Sequence, residues 1–81
     1  MDEICFVYII WSDKLEKYYI GSSSSPEKRL KEHNSGKANF TKTGIPWVLK
    51  YSKAYSTKQE AQKQERQIKR MKSRKYIEQL M

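Results

Sequence analysis

The sequence predicts one α+β domain over residues 1–81, in which a three-stranded antiparallel β-sheet is flanked by helices. Three observations support this prediction. An unbroken apolar run at residues 4–11, rich in β-branched and aromatic side chains, is followed closely by a second apolar segment at residues 18–20. Two later segments carry helix-start signals, and a loosely alternating stretch separates them. A chain of 81 residues has room for one small core.

The first two strands are expected to form an antiparallel hairpin. Residues 4–11 are predicted to be a strand buried on both faces, and residues 17–21 form its partner. With the polar residues 12–15 as the loop, Trp11 faces Glu16 and Tyr8 faces Tyr19. The two tyrosines would then lie side by side on one face of the sheet.

A helix is predicted to follow the hairpin. Ser25 can cap it, Pro26 suits its first position, and Gly36 is a natural terminator just after its last residue, near Asn34. Residues 36–46 are then expected to form a loop that leads to the next strand.

A third strand and two further helices complete the predicted fold. Residues 47–55 alternate loosely in polarity and are expected to form the strand. The segment Thr57-Lys58-Gln59-Glu60 is a capping box that opens a second helix, and Ser73 caps a last short helix.

Glu65 lies on the predicted apolar stripe of the second helix, four residues after Ala61 and three before Ile68. A carboxylate in such a position is unusual. One explanation is structural: a capping carboxylate, or an ion-pair partner for Arg29. The other is that Glu65 is the one protein ligand of a divalent cation such as Mg²⁺, which is often held by one or two carboxylates, with water and phosphate as the other ligands.

The charge of the chain is strongly positive and unevenly distributed. There are 17 Lys and Arg residues against 9 Asp and Glu, which gives a formal net charge of +8. Residues 50–75 contain ten basic and two acidic residues, so this segment accounts for all of the net charge. Such a face can be merely solvated, but the asymmetry favours a surface that meets the phosphates of nucleic acid.

Other features narrow the class of protein. A single cysteine, Cys5, excludes an internal disulfide and a zinc site built from cysteines. The apolar run at residues 4–11 is far shorter than the ~20 residues of a membrane-spanning helix. Asp2 and Glu3 precede that run, where a secretion signal would be basic, so a cytoplasmic protein is expected.

Five elements, taken in order, resemble the motifs of the GIY-YIG nuclease superfamily, and the match covers nearly the whole chain, most like the small stand-alone members. The elements are Phe6-Val7-Tyr8, Tyr19-Ile20-Gly21, Arg29 with His33, Phe40-Thr41-Lys42 with Pro46-Trp47, and Ala61 with Glu65 and Lys69. Phe6 stands where the first motif usually begins with glycine. The resemblance implies a GIY-YIG endonuclease-like fold and a metal-dependent DNA endonuclease with a role in DNA repair or recombination.

The resemblance also implies a set of site residues. Glu65 would bind Mg²⁺ or Mn²⁺, Arg29 would hold the scissile phosphate, and Tyr8, Tyr19 and His33 would position and deprotonate the attacking water. Each of these has a plainer alternative: a packed strand aromatic, a solvated arginine, a structural histidine. Arg29 and His33 are four residues apart and therefore share a helix face.

Backbone and phosphate contacts would come from a second set of residues, which bind nucleic acid without reading its sequence. They are Gly21, Lys42, Lys69, Arg70 and Lys72.

Three functions remain open at this stage. The first is a metal-dependent phosphodiesterase that acts on DNA, and the second is a module that binds nucleic acid through the same basic face without chemistry. The third, a structural or protein-interaction domain, predicts no salt-sensitive affinity for nucleic acid.

Overall fold

The computed structural model describes residues 4–37, 39, 41–71 and 73–81. It is an α+β fold with a three-stranded antiparallel sheet and three helices, as the sequence predicts. The strands are β1 (Cys5–Ser12), β2 (Lys17–Ser23) and β3 (Trp47–Tyr55), and the helices are α1 (Pro26–Asn34), α2 (Lys58–Met71) and α3 (Arg74–Leu80). A short 3₁₀ turn, Lys42–Gly44, precedes β3.

The strand order is β2-β1-β3, and β1 pairs antiparallel with both neighbours. The central position explains the apolar run, because a strand with a neighbour on each side and helices over both faces meets little water. The exposed Ile4 lies just before β1, so the strand is one residue shorter at its start than the run suggests.

The hairpin register corrects one expectation. Tyr8 pairs with Gly21 and Tyr19 pairs with Ile10, so the two tyrosines do not face each other directly. Trp11 pairs with Tyr18 rather than with Glu16, which lies in the turn with a φ of 53°. The prediction placed the loop one residue too early. Because the partner of Tyr8 moves by two residues, the alternation is kept and both tyrosines stay on one face of the sheet.

A β-bulge in β3 directs the apolar side chains before and after it to opposite faces of the sheet. Ile9 pairs with Tyr51 and Ile10 with Leu49, which leaves Lys50 as the extra residue. The bulge reverses the alternation, so Leu49 joins the core beside Tyr8 while Tyr51 joins the core on the opposite face.

Two apolar cores result, one on each face of the sheet. On one face, α1 covers a cluster centred on Tyr8, Ile10 and Trp47. On the other, α2 and α3 contribute Ala61, Ile68 and Ile77 to the larger cluster of Val7, Ile9 and their neighbours. The residues expected to act together therefore come from helices on opposite sides of the sheet.

The helix starts agree with the sequence. The Oγ atoms of Ser25 and Ser73 accept from the backbone N–H of Lys28 and Tyr76. Thr57 Oγ1 accepts from the N–H of Glu60 at 3.1 Å. The Glu60 carboxylate accepts from the Ser56 hydroxyl at 3.1 Å, whereas the predicted capping box would place this contact at the Thr57 N–H. No helix among the described residues is long and apolar enough to cross a membrane.

Candidate active site

Tyr8 and His33 form the buried centre of the candidate site. Tyr8 is 2% exposed on β1, and its hydroxyl lies 3.1 Å from His33 Nε2. His33 is 1% exposed and is the only buried residue of α1. Tyr19 meets the imidazole ring edge-on, with the ring centroids 5.1 Å apart. The structure thus brings the two tyrosines and the histidine into one contact cluster.

The surroundings of Tyr8 oppose its ionisation. Burial raises the pKa of the Tyr8 phenol to about 12, and the Arg29 guanidinium, which faces the hydroxyl, only partly offsets this rise. Tyr19 and Glu65 raise it further. The resemblance implies that the tyrosines help to deprotonate the attacking water, but at Tyr8 desolvation outweighs the effect of the nearby cation.

The surroundings of His33 disfavour its protonated form. Burial is the main cause that lowers the pKa of its imidazole, and the nearby Arg29 charge lowers it further, against a smaller opposite effect of Glu32. A neutral imidazole has one ring nitrogen that donates and one that accepts. His33 can therefore accept one proton, which makes it a possible end point for proton transfer.

Arg29 lies at the rim of this cluster. Its side chain is 43% exposed and forms a 2.6 Å ion pair with Glu32, one turn along α1. This exposed i,i+3 pair contributes little to stability. The guanidinium is therefore available to an anion that approaches the Tyr8 hydroxyl from solvent.

Glu65 reaches the edge strand β2 from the opposite face of the sheet. Its Oε1 accepts from the Ser22 hydroxyl at 2.7 Å, and its Oε2 pairs with Lys69 Nζ at 2.7 Å. The same Lys69 Nζ lies 5.9 Å from the centroid of the Tyr19 ring. The pairing of Glu65 with Arg29, one of the structural explanations of its position, is wrong: each has a different ionic partner.

Glu65 is a single carboxylate with a partner on each of its two oxygens. The described residues contain no group of three or more His, Cys, Asp or Glu side chains that could hold a metal ion. The Glu65 side chain is 19% exposed and already balances a positive charge, that of Lys69. A Mg²⁺ or Mn²⁺ ion that used Glu65 as its one carboxylate ligand would have to displace Lys69, and water and substrate phosphate would complete its coordination.

Gly21 has a steric role beside Tyr8. A Cβ atom at residue 21 would lie 2.5 Å from the Tyr8 hydroxyl oxygen and 2.6 Å from Cζ. The expectation that its backbone lies close to a substrate stays a prediction. Residue 21 must be glycine for the Tyr8 side chain to lie where it does.

The predicted phosphate-binding residues are spread over the surface. Lys69 lies at the site beside Tyr19, whereas Lys42 is exposed in the 3₁₀ turn. Arg70 lines an open groove along the outer face of α2, together with Lys63 and Arg66. Lys72 falls outside the described residues.

Sequence reasoning assigned no role to four supporting residues: Ser22 and Asn34, and also Thr41 and Trp47, which lie in two of the motif elements. Ser22 binds Glu65, and Thr41 Oγ1 lies 2.7 Å from His33 Nδ1. The Asn34 side chain accepts from Trp47 N and donates to Trp47 O at 2.6 and 3.0 Å. The polar residue directly after His33 was a usable signal for Asn34. The other contacts depend on the tertiary fold.

Comparison with known proteins identifies relatives of the whole domain. The model of a family described as "GIY-YIG catalytic domain" matches residues 4–77. A UPF0213 protein of Bacillus licheniformis is 41% identical over 64 residues, which cover 74% of this chain and 66% of that protein. A UPF0213 protein of Staphylococcus haemolyticus is 42% identical, over 79% of this chain and 78% of its own.

A third relative, a UPF0213 protein of Streptococcus pneumoniae, is 36% identical over 89% of this chain and 73% of its own. The chain thus spans about two thirds to four fifths of these relatives. No solved structure matches the sequence.

Proposed function

The chain belongs to the GIY-YIG catalytic-domain family, and from that membership we propose that it is a metal-dependent endonuclease that hydrolyses phosphodiester bonds in DNA. One observation supports this most strongly: the aromatic cluster of Tyr8, Tyr19 and His33 meets the Glu65–Lys69 pair at the edge of β2. Lys69 from α2 thus reaches the ring of Tyr19, which packs against His33 on the other face of the sheet. We further propose that the protein acts in the cytoplasm, in DNA repair or recombination.

Tyr8 would relay a proton rather than store a negative charge. With its pKa at about 12, only on the order of one molecule in 10⁵ carries a tyrosinate at pH 7. In a relay, the attacking water gives a proton to the Tyr8 oxygen while the Tyr8 proton moves to His33 Nε2. The phenol stays neutral and His33 ends as imidazolium, while the water oxygen forms the new bond to phosphorus.

Arg29 and Tyr19 would position the phosphate and the water. The half-exposed Arg29 guanidinium can donate two hydrogen bonds to non-bridging phosphate oxygens, where negative charge builds up as water attacks. Tyr19, on the same face as Tyr8, would place its hydroxyl group toward the same water. The leaving-group oxygen takes the electron pair of the broken P–O bond and then a proton from solvent.

Glu65 would hold the divalent cation, which supplies Lewis-acid stabilisation of the phosphate charge. Ser22 donates to one carboxylate oxygen and so fixes the orientation of the group. Lys69 would give up its ion pair with Glu65 and turn to a phosphate oxygen of the substrate. The side chain is suited to this exchange, because it is 48% exposed.

The direct test is a cleavage assay on nicked, branched, single-stranded and intact duplex DNA in Mg²⁺ or Mn²⁺. Removal of a group that stabilises transition-state charge typically costs ~10²–10³-fold in rate, so Glu65→Gln is expected to lose at least that much. Glu60→Gln is the matched control, because Glu60 is an exposed acid on the same helix that pairs with Ser56. If the wild-type protein cleaves none of these substrates faster than Glu65→Gln does, the proposal is refuted.

A second candidate is a nucleic-acid-binding module without chemistry. It is supported by the groove of Lys63, Arg66 and Arg70, none of which forms an ion pair with a described residue. This function predicts salt-dependent binding to DNA or RNA, no cleavage, and an affinity that Glu65→Gln leaves unchanged. The same assay with a labelled RNA distinguishes the two kinds of nucleic acid.

A further inference from the structure

Thr41 contacts the second ring nitrogen of His33. Its Oγ1 lies 2.7 Å from His33 Nδ1, while Nε2 on the other side of the ring lies 3.1 Å from the Tyr8 hydroxyl. Thr41 and His33 are 0% and 1% exposed. Water therefore has little access to either ring nitrogen, and the two neighbouring hydroxyls determine where the ring proton sits.

The contacts of Tyr8 indicate the direction of the hydrogen bonds that link Tyr8, His33 and Thr41. The Arg29 guanidinium lies near enough to the Tyr8 hydroxyl to favour its ionised form, and a guanidinium can only donate. Among the described residues, His33 Nε2 is the acceptor that lies within hydrogen-bond distance of the Tyr8 O–H. If Tyr8 donates to Nε2, that nitrogen carries no proton. The neutral ring then has its proton on Nδ1, which donates to Thr41 Oγ1.

The position of Thr41 is itself fixed from several sides. Its backbone carbonyl accepts from Trp47 Nε1 at 2.7 Å and from the Gly44 N–H at 3.1 Å. Asn34 binds both backbone groups of Trp47, so α1 and the start of β3 are joined. Ser12 binds the Gly44 carbonyl at 2.6 Å. These contacts hold the backbone of Thr41 beside α1, and its hydroxyl reaches His33 from there.

We propose that Thr41 is a positioning residue that holds His33 in the Nδ1–H form and so keeps Nε2 ready to take the proton of Tyr8. The proposal rests on the relay proposed above and assigns the residue on which that relay depends. It explains why a loop residue with no access to substrate is buried against the histidine. The reacting atoms and the proton balance remain those of the relay.

The test is ¹⁵N NMR of the imidazole nitrogens, which is clean because His33 is the only histidine. The wild-type protein is expected to show a protonated Nδ1 and an unprotonated Nε2. Thr41→Val removes the hydroxyl and keeps a similar shape, so the tautomer is expected to shift toward Nε2–H. Thr41→Ser keeps the hydroxyl and is expected to retain the wild-type pattern.

Cleavage gives the second readout. Loss of a group that orients a metal-bound histidine typically costs ~10–100-fold, and we expect Thr41→Val to lower kcat by a similar factor with KM nearly unchanged. Thr41→Ser should stay within about threefold of wild type, since a histidine needs only its hydrogen-bond partner to keep its tautomer. If Thr41→Val does not fold, Thr41→Ala takes its place in both measurements.

A wild-type ring protonated on Nε2, or a tautomer that does not change when the hydroxyl is removed, would overturn the assignment of Thr41. These NMR results do not depend on turnover. A wild-type protein that has the Nδ1–H form but cleaves no substrate would instead refute the proposed nuclease function and leave the role of Thr41 supported.

Discussion

The Tyr8 hydroxyl occupies space that only a glycine in the neighbouring strand leaves open. Gly21 pairs directly with Tyr8, and the phenol ring lies over its Cα. This arrangement lets a large aromatic group lie buried on a sheet face with its polar end against His33 and Arg29. The reactivity expected of the tyrosine thus depends on the absence of a side chain at another residue.

Gly21→Ala is expected to destabilise the protein by ~1–3 kcal/mol, the usual cost of inserting a group into a packed core. The ring of Tyr8 must move to accept the new methyl group, so cleavage should fall as well. Urea unfolding measures the first effect. Ser52→Ala, on the other strand that pairs with Tyr8, is the control and should change stability by less than ~0.5 kcal/mol.

The pH dependence of stability should report the burial of His33. Because burial lowers the pKa of the folded imidazole below its usual 6.5, the unfolded chain binds the proton first as pH falls. The stabilising contribution is therefore complete above pH ~6.5 and is lost as pH falls toward the folded pKa. Wild-type stability should fall more steeply than that of His33→Gln below pH ~6.5, and an NMR midpoint of His33 at or above 6.5 would contradict this.

At the residue scale, the sequence predicted the candidate catalytic residues better than the residues that hold them in position. Tyr8 and Tyr19 could be placed on one face because alternation along a strand survives a shift of two residues. Thr41 and Asn34 could not be assigned to the site, since their partners depend on how the loop before β3 folds back on α1.

Among the elements, β3 is the one whose regular spacing is misleading. Four of its six apolar residues, Trp47, Leu49, Tyr51 and Tyr55, fall at odd positions, which would place them on one face of a regular strand. The bulge at Lys50 instead gives the first two to the Tyr8 core and the last two to the Val7 core. The sequence predicted the strand correctly, but it carried no clear signal for the bulge.

Deletion of Lys50 is expected to disrupt the packing of one of the two cores. Either Trp47 and Leu49 or Tyr51 and Tyr55 would turn away from their partners. Loss of a large core side chain costs ~3–5 kcal/mol, so the unfolding free energy should drop by at least that much. Lys50→Ala keeps the bulge and should leave stability almost unchanged; a deletion as mild as this control would exclude a structural need for the bulge.

In the whole molecule, the candidate site and the basic groove use different sides of α2. Glu65 turns toward β2, whereas Lys63, Arg66 and Arg70 line the outer face. The charge asymmetry predicted a polyanion-facing half, and helical periodicity predicted which side of α2 packs inward. The convergence of α1 and α2 residues at the edge of β2 could not be predicted, because it depends on strand order and helix placement.

Binding to DNA should become less salt-dependent when the groove loses charge. Each phosphate contact adds ~1 to the slope of log affinity against log salt, so Arg66→Gln/Arg70→Gln should reduce that slope by about 2. Lys14→Gln/Lys17→Gln removes the same charge near the hairpin turn and is the matched control. Equal effects of the two double variants would mean that net charge alone governs binding.

The central claim is that Tyr8 on β1 and Glu65 on α2 serve one reaction. Single-turnover cleavage by Tyr8→Phe, Glu65→Gln and the double variant tests it most directly, because residues that act as a unit have strongly non-additive effects. The double variant is expected to cleave about as slowly as the slower single variant. A double variant slowed by the full product of the two single effects would show that the two side chains act independently.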